Sequence, residues 1–238
     1  MKNLIFIPLY NEEKRLNTES IIQFLNISHI VAVDDGSTDG THQKLLGLTH
    51  LSGFKVLSSK KNLGKGNVLQ WAFQEFKRDN DLSEYNWIGY WDGDFSTPVR
   101  EFERMIDFSK KHQHSEVIWA SRIENQEAKI NRLWTRFILG RLFNLMSKII
   151  LKHDLYDTQC GAKIFSPKAA KIAFQSSFIA NWPFDLEIYL RLKKEAKINI
   201  LEYPVSEWSH VKGSKISLLK DGFKVLIDLL KIRLKYFK

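Results

Sequence analysis

The sequence predicts an α/β fold with a mostly parallel central sheet, on three observations. Short β-rich runs alternate with helical patterns through the first half, acidic residues recur where those runs end, and helical patterns dominate the remainder. The first run, Leu4–Leu9, closes in Pro8-Leu9-Tyr10-Asn11-Glu12 and precedes a helical stretch expected over Glu12–Asn26. His29–Asp34 follows, then a helix over Thr41–Leu46, a strand over Phe54–Ser58 and a helix over Gly66–Arg78. Trp87–Trp91, a helix over Pro98–His112 and Val117–Ala120 complete this half. Beyond Ser121 helices are expected over Asn131–Leu151, Pro167–Gln175 and Pro183–Glu195, with short strands at Ala162–Phe165 and Ile198–Tyr203. Connections are short and no repeat or low-complexity linker appears, so the chain reads as a single domain: residues 1–121, 122–214 and a C-terminal helix over 215–238.

Composition narrows the function. The 238 residues are 44% hydrophobic and 26% charged, which is globular and not disordered. A formal charge of +9 draws anions such as nucleotides, phosphates or acidic lipid. Cys160 is the only cysteine, so a disulfide framework and a cysteine zinc site are excluded and a reducing compartment fits. The apolar run at the N-terminus is too short for a signal, and Leu133 to Leu151 is broken by Arg136, Arg141 and Lys148, so no membrane span is expected.

Open α/β sheets place their ligand crevices at the C-terminal ends of strands, and here three such ends are acidic. The first carries Glu12, the second Asp34-Asp35-Gly36-Ser37, the fourth Asp92-Gly93-Asp94. Two carboxylates flanking a glycine suit a hard divalent cation, Mg²⁺ or Mn²⁺, bridged to a diphosphate; a bare turn is the other reading of the same residues. Asp35 has the chemistry to accept from a base N–H or ribose hydroxyls. Asn62-Leu63-Gly64-Lys65-Gly66 places a lysine between glycines at a helix start, where backbone N–H groups favour anions, yet the glycine spacing is not that of a P-loop.

The ordered set of these motifs resembles the GT-A-fold inverting glycosyltransferases of the large family that includes dolichyl-phosphate glucosyltransferase and dolichyl-phosphate mannose synthase. Ala120-Ser121-Arg122, Asp157-Thr158-Gln159-Cys160-Gly161-Ala162-Lys163, Trp182-Pro183-Phe184-Asp185-Leu186-Glu187 and Gly213-Ser214-Lys215 look most like the glucosyltransferase branch. The resemblance spans nearly the whole chain and implies a Rossmann-like nucleotide-sugar-binding domain with a helical, acceptor- and membrane-facing C-terminal part. It implies that Asp92 and Asp94 hold the metal on the donor diphosphate, that Asp35 beside Asp34 binds the base, and that Pro8, Tyr10 and Glu12 line the nucleotide pocket. Two departures stand out: Asp-Gly-Asp where relatives usually have Asp-Ala-Asp, and no N-terminal membrane anchor.

The expected reaction moves a hexose, with UDP-glucose the favoured donor, to a polyprenyl phosphate. Lys65 would assist the departing diphosphate. Arg122, Arg132, Arg136 and Lys215 are the candidate phosphate cations, since guanidinium pairs with phosphate oxygens in bidentate fashion. A phosphate oxygen is already anionic and needs no strong base, whereas a saccharide hydroxyl would need a carboxylate such as Asp185 or Glu187. That saccharide-acceptor transferase is the alternative; a non-catalytic basic module is disfavoured by the acidic strand tips, and nucleic acid is not an expected partner. The C-terminal segment Lys215–Lys238 carries seven basic and two acidic residues beside an apolar stripe through Ile216, Leu219, Phe223, Leu226, Ile227, Leu230 and Leu234. It reads either as a helix lying on an anionic membrane, which would place the protein peripherally on the cytoplasmic face, or as a helix packed on the domain.

Overall fold

The computed structural model describes residues 2–123, 128–131, 134–180, 182–195, 197–211 and 218–237, with backbone alone for Arg136 and for 218–223. Arg132 and Lys215 lie outside the described residues, as does the side chain of Arg136. Strands β1 (Lys2–Leu9), β2 (His29–Asp34), β3 (Phe54–Ser58), β4 (Tyr85–Trp91), β5 (Val117–Ser121), β7 (Ala162–Phe165) and β8 (Ile200–Pro204) form one seven-stranded sheet in the order β3-β2-β1-β4-β7-β5-β8. All pairings are parallel except those of β7, which runs antiparallel to both β4 and β5. The sheet therefore takes strands from both sides of Ser121. The strand order reverses beside β1, and the tips of β2, β1 and β4 lie side by side at that point, where a doubly wound sheet opens its crevice.

The inner strands β1, β2, β4, β5 and β7 are largely buried on both faces, as strands covered by helices require. β1 alternates Leu4 and Phe6 into one apolar cluster with Ile5, Ile7 and Leu9 into the other. Helix α3 (Lys65–Asp79) covers the first face with Val68, Leu69, Ala72, Phe73 and Phe76, the spacing of a single helix face. Helices α1 (Thr18–Leu25) and α4 (Val99–Lys111) cover the second with Ile21, Phe24, Phe102 and Met105. A short helix, α2 (Thr41–Leu46), follows β2.

Four expectations need adjustment. The helix foreseen from Glu12 starts at Thr18, because Glu12 N–H is bound by Thr41 Oγ1 and Glu13 N–H by Asp39 Oδ2, which hold the segment as a turn until Asn17 caps the helix. Asn131 does not begin a helix: it ends β6 (Lys129–Asn131), paired parallel with β9 (Glu207–Ser209), and α5 (Trp134–Leu151) follows. α6 (Pro167–Ala173) and α7 (Phe184–Lys193) are shorter than foreseen at their ends. The C-terminal helix α8 (Leu218–Tyr236) packs Val225, Leu229 and Ile232 into the core while Ile227, Leu230 and Leu234 stay exposed, so its apolar surface is wider than the stripe.

α3 meets α7 closely at Gly66, where an added Cβ would lie 2.6 Å from Phe184 Cβ. Gly66→Ala is expected to destabilise the fold by about 1–3 kcal/mol, the range for overpacking a close contact, against the small helix-propensity gain. Urea unfolding monitored by tryptophan fluorescence checks it; an unchanged midpoint would show that the two helices part freely.

Candidate active site

The tips of β1 and β2 are tied before any ligand arrives. Asp35 N–H donates to Leu9 O at 2.8 Å, Asn11 N–H to Ser37 Oγ at 3.0 Å, and Thr38 N–H to Asn11 Oδ1 at 2.8 Å. Pro8 remains within β1, and Tyr10 and Glu12 stand partly exposed beyond its end. Glu12 pairs with Arg15 at 2.7 Å. Asp34 accepts from Ser37 N–H at 3.0 Å and faces His42 Nδ1 at 3.2 Å.

Asp35 is buried, and both its oxygens are engaged: Oδ1 accepts Leu63 N–H at 2.7 Å and Oδ2 accepts Gly64 N–H at 3.0 Å. It thus braces the loop that delivers Lys65, a task its sequence position did not reveal. Burial raises its pKa, the two N–H bonds oppose that, and the neighbouring Asp34 charge adds to it.

β4 delivers Asp92 and, through Gly93, Asp94. Asp92 N–H donates to Gly161 O at 2.8 Å, and a Cβ on Gly161 would fall 2.0 Å from Asp92 Oδ2, so only glycine at the start of β7 leaves the carboxylate room. Lys65 Nζ lies 2.5 Å from Asp92 Oδ1. Burial disfavours the charge on Lys65, but the fields of Asp92 and then Asp185 outweigh this and raise its pKa. Asp94 Oδ1 accepts Ser96 N–H at 2.9 Å, and its pKa is raised by burial and by the Asp92 charge.

Behind this pair, Asp185 is buried with Lys163, whose Nζ lies 2.9 Å from Asp185 Oδ1 and also donates to Cys160 O at 2.5 Å. Tyr90 OH donates to the same Asp185 oxygen, and the Tyr90 pKa is driven well up by burial and then by the Asp185 charge. Asp92, Asp94 and Asp185 stand with Lys65 and Lys163, and the field of Asp92 also reaches Arg122. Among the described residues no cluster of three or more protein ligands could enclose a metal ion. Two carboxylates beside one lysine suit a cation that keeps waters and takes its other oxygens from a diphosphate. Asp92 and Asp94 are the residues that could hold it.

Glu187 and Arg122 make their direct hydrogen bonds with other groups. Glu187 is fully buried: Oε1 accepts Ile179 N–H at 2.7 Å and Ala180 N–H at 3.0 Å, while Oε2 accepts Tyr236 OH at 3.3 Å and faces Lys235 at 3.6 Å. Two residues apart on a helix, Asp185 and Glu187 point to different sides. Arg122 Nε and Nη2 donate to the two oxygens of Asp157 at 2.6 and 2.9 Å, and the guanidinium lies 5.1 Å from the Trp208 ring centroid. That pairing, acting against the effect of burial, holds the Asp157 carboxyl far below the usual carboxylate range.

Glu187→Ala removes the acceptor for two buried N–H groups and a partner of α8. It is expected to cost about 3 kcal/mol of stability, the scale for breaking a buried charged network, with nucleotide affinity unchanged. Thermal unfolding beside calorimetric titration of UDP checks both halves; intact stability with lost binding would place Glu187 in the cleft.

Similar proteins bear on the family and the fold. The glycosyl transferase family 2 model matches residues 4–172. A dolichyl-phosphate beta-glucosyltransferase of Trichomonas vaginalis is 31% identical across 97% of this chain and 72% of its own length. Its counterpart in Saccharomyces cerevisiae is 32% identical across 98% and 74%. In fold the chain is similar to glucosyl-3-phosphoglycerate synthase from Mycobacterium tuberculosis in complex with UDP, with a TM-score of 0.67 at 15% identity over 98% of this chain and 80% of that one. Staphylococcus aureus TarS in complex with UDP-GlcNAc gives a TM-score of 0.61 at 18% identity over 98% and 66%. With its acidic strand tips at the reversal of a mostly parallel sheet, and with that match over more than half its length, the chain belongs to glycosyl transferase family 2, a family of glycosyltransferases.

Proposed function

We propose that this glycosyltransferase moves glucose from UDP-glucose to a polyprenyl phosphate of the dolichyl type, with inversion, using Mg²⁺ or Mn²⁺. The observation that carries the reading is the state of Asp185, the candidate base that lies with Asp92 and Lys65. Asp185 is bound by Tyr90 and Lys163, so it is not poised to take a proton from a saccharide hydroxyl. A phosphate monoester oxygen needs no such base, because its second pKa is near 6 and it is anionic in neutral solution. The dolichyl-phosphate beta-glucosyltransferases, similar over nearly the whole chain, support that acceptor class.

In the reaction the acceptor's phosphate oxygen forms a bond to the anomeric carbon as the bond from that carbon to the diphosphate oxygen breaks, and this single displacement inverts the centre. Asp92 and Asp94 would hold the divalent cation, which supplies neutralisation of the diphosphate's negative charge. Lys65, now on Asp92, turns to the leaving phosphate and adds a second positive charge there. Asp35 keeps the Lys65 loop in register through its two backbone N–H bonds.

A lipid acceptor calls for a membrane face. No helix among the described residues is long and apolar enough to cross a membrane. α5 and α8 nevertheless pack together and expose Trp134 at 70%, Ile149 at 71% and Leu234 at 69%, beside Lys148, Lys231 and Lys235. Apolar side chains flanked by cations are what a peripheral helix pair offers an anionic bilayer.

Transfer of radiolabelled glucose from UDP-glucose to a short soluble prenyl phosphate and to saccharides tests the reading. Wild type is expected to label the prenyl phosphate, and Asp94→Asn to be slower by on the order of 10²-fold or more at saturating metal. Labelling of the saccharide alone, or undiminished turnover in the variant, would overturn it.

A further inference from the structure

A cavity of about 140 Å³ opens between α5, the loop that precedes β7 and the end of β9. α5 lines it with Phe137, Gly140, Arg141 and Asn144, whose spacing of three and four residues marks one helix face. On the adjoining face Ile138, Leu142, Leu145 and Ile149 are exposed at the same spacing, one position onward. The cavity's far wall includes Thr158 and Gln159. Gly161, which abuts the Asp92 carboxylate, is two residues further, at most about 7 Å of chain.

Three features of the cavity have no role in the fold described so far. Arg141 lies over the Tyr156 ring at 4.2 Å and donates to Tyr156 O at 3.3 Å, and no carboxylate among the described residues pairs with it. Arg122, at the same cavity, is by contrast already matched by Asp157. Gly140 stands inside a helix, where glycine is disfavoured, yet an added Cβ would meet nothing within 4 Å. Close packing therefore does not explain it. Asn144 is 5% exposed; its Nδ2 donates to Tyr156 O at 2.8 Å and to Leu155 O at 3.3 Å, while its buried Oδ1 has no hydrogen-bond partner.

We propose that this cavity seats the phosphate of the lipid acceptor, that Arg141 grips it, and that Gly140 keeps open the space through which it enters. An unpaired guanidinium presents a fork of donors that matches phosphate oxygens. Stacking on Tyr156 holds the fork's plane, and Trp208 and Phe137 supply apolar wall for the first prenyl carbons. The prenyl chain then leaves across the exposed apolar face of α5, in line with the bilayer. The inference rests on the acceptor class proposed above and adds the residues that read it.

The test measures binding without donor, on the full chain, for a three-isoprene prenyl phosphate, its parent alcohol and inorganic phosphate, with transfer assayed separately. Arg141→Gln is expected to weaken prenyl phosphate binding about ten- to a hundred-fold, the loss of a charge-assisted pair, and to raise KM for it with kcat and UDP affinity little changed. Arg141→Lys should recover part of that loss. Gly140→Leu should block prenyl phosphate while the unfolding midpoint does not fall. Wild-type affinity for prenyl phosphate in both Arg141→Gln and Gly140→Leu overturns the proposal. So does equal wild-type affinity for the parent alcohol, which removes the phosphate grip, or for inorganic phosphate, which removes the lipid. Arg141-dependent binding without glucose transfer sustains the cavity's assignment and overturns the reaction instead.

Discussion

The architecture of the candidate site rests on the 2.5 Å ion pair between Lys65 and Asp92. Three carboxylates gathered at the end of β4 would repel one another in a partly dry cleft unless cations were brought to them. One cation comes from the start of α3 and the other, Lys163, from inside β7, with its ammonium wholly removed from solvent. Both lysines need scaffolding of their own. Asp35 fixes the loop before Lys65 through two N–H bonds, and β7 runs antiparallel between β4 and β5 so that Lys163 lies behind Asp92. The antiparallel strand in an otherwise parallel seven-stranded sheet is thus the one that brings a buried positive charge to the site.

Much of this was legible in the sequence. Apolar runs ending in acidic residues marked β1, β2 and β4 to within two residues, and the order of motifs identified which strand tips share a cleft. The allocation of charge was not legible. Asp35, Asp185, Glu187 and Arg122 all have the residue type of a ligand-binding group, yet each is satisfied by protein partners outside its own motif: Leu63 and Gly64, Lys163 and Tyr90, the 179–180 backbone, and Asp157. Motif spacing reports that a charge stands at a strand or helix end. It does not report whether a partner arrives from another element to neutralise it. Arg141 is the converse case, hidden in an apolar helical run where it reads as an interruption. The β6–β9 pair escaped notice because three-residue strands carry too little periodicity to register.

The placement of α5 and α8 puts the surface proposed to face a membrane next to the proposed acceptor cavity. α8 is pinned by Val225, Leu229 and Ile232 in the core and by Arg233 donating to Ile150 O, so its exposed leucines and lysines are held beside those of α5. α5 in turn has one face on the cavity and the next in solvent. In the proposed arrangement a lipid on the outer face has its phosphate within reach of the inner one.

If charge balance in the cleft governs the site, cation and diphosphate should bind as a unit, because two carboxylates partly matched by Lys65 hold a dication poorly until the diphosphate completes its shell. Titration of Mn²⁺ followed by electron paramagnetic resonance, with and without UDP, tests this most directly. The account predicts weak Mn²⁺ binding to the protein alone and much tighter binding once UDP is present, with UDP affinity raised by the same factor, as reciprocity of linked binding demands. Tight Mn²⁺ binding in the absence of nucleotide, or UDP binding indifferent to the metal, would contradict it.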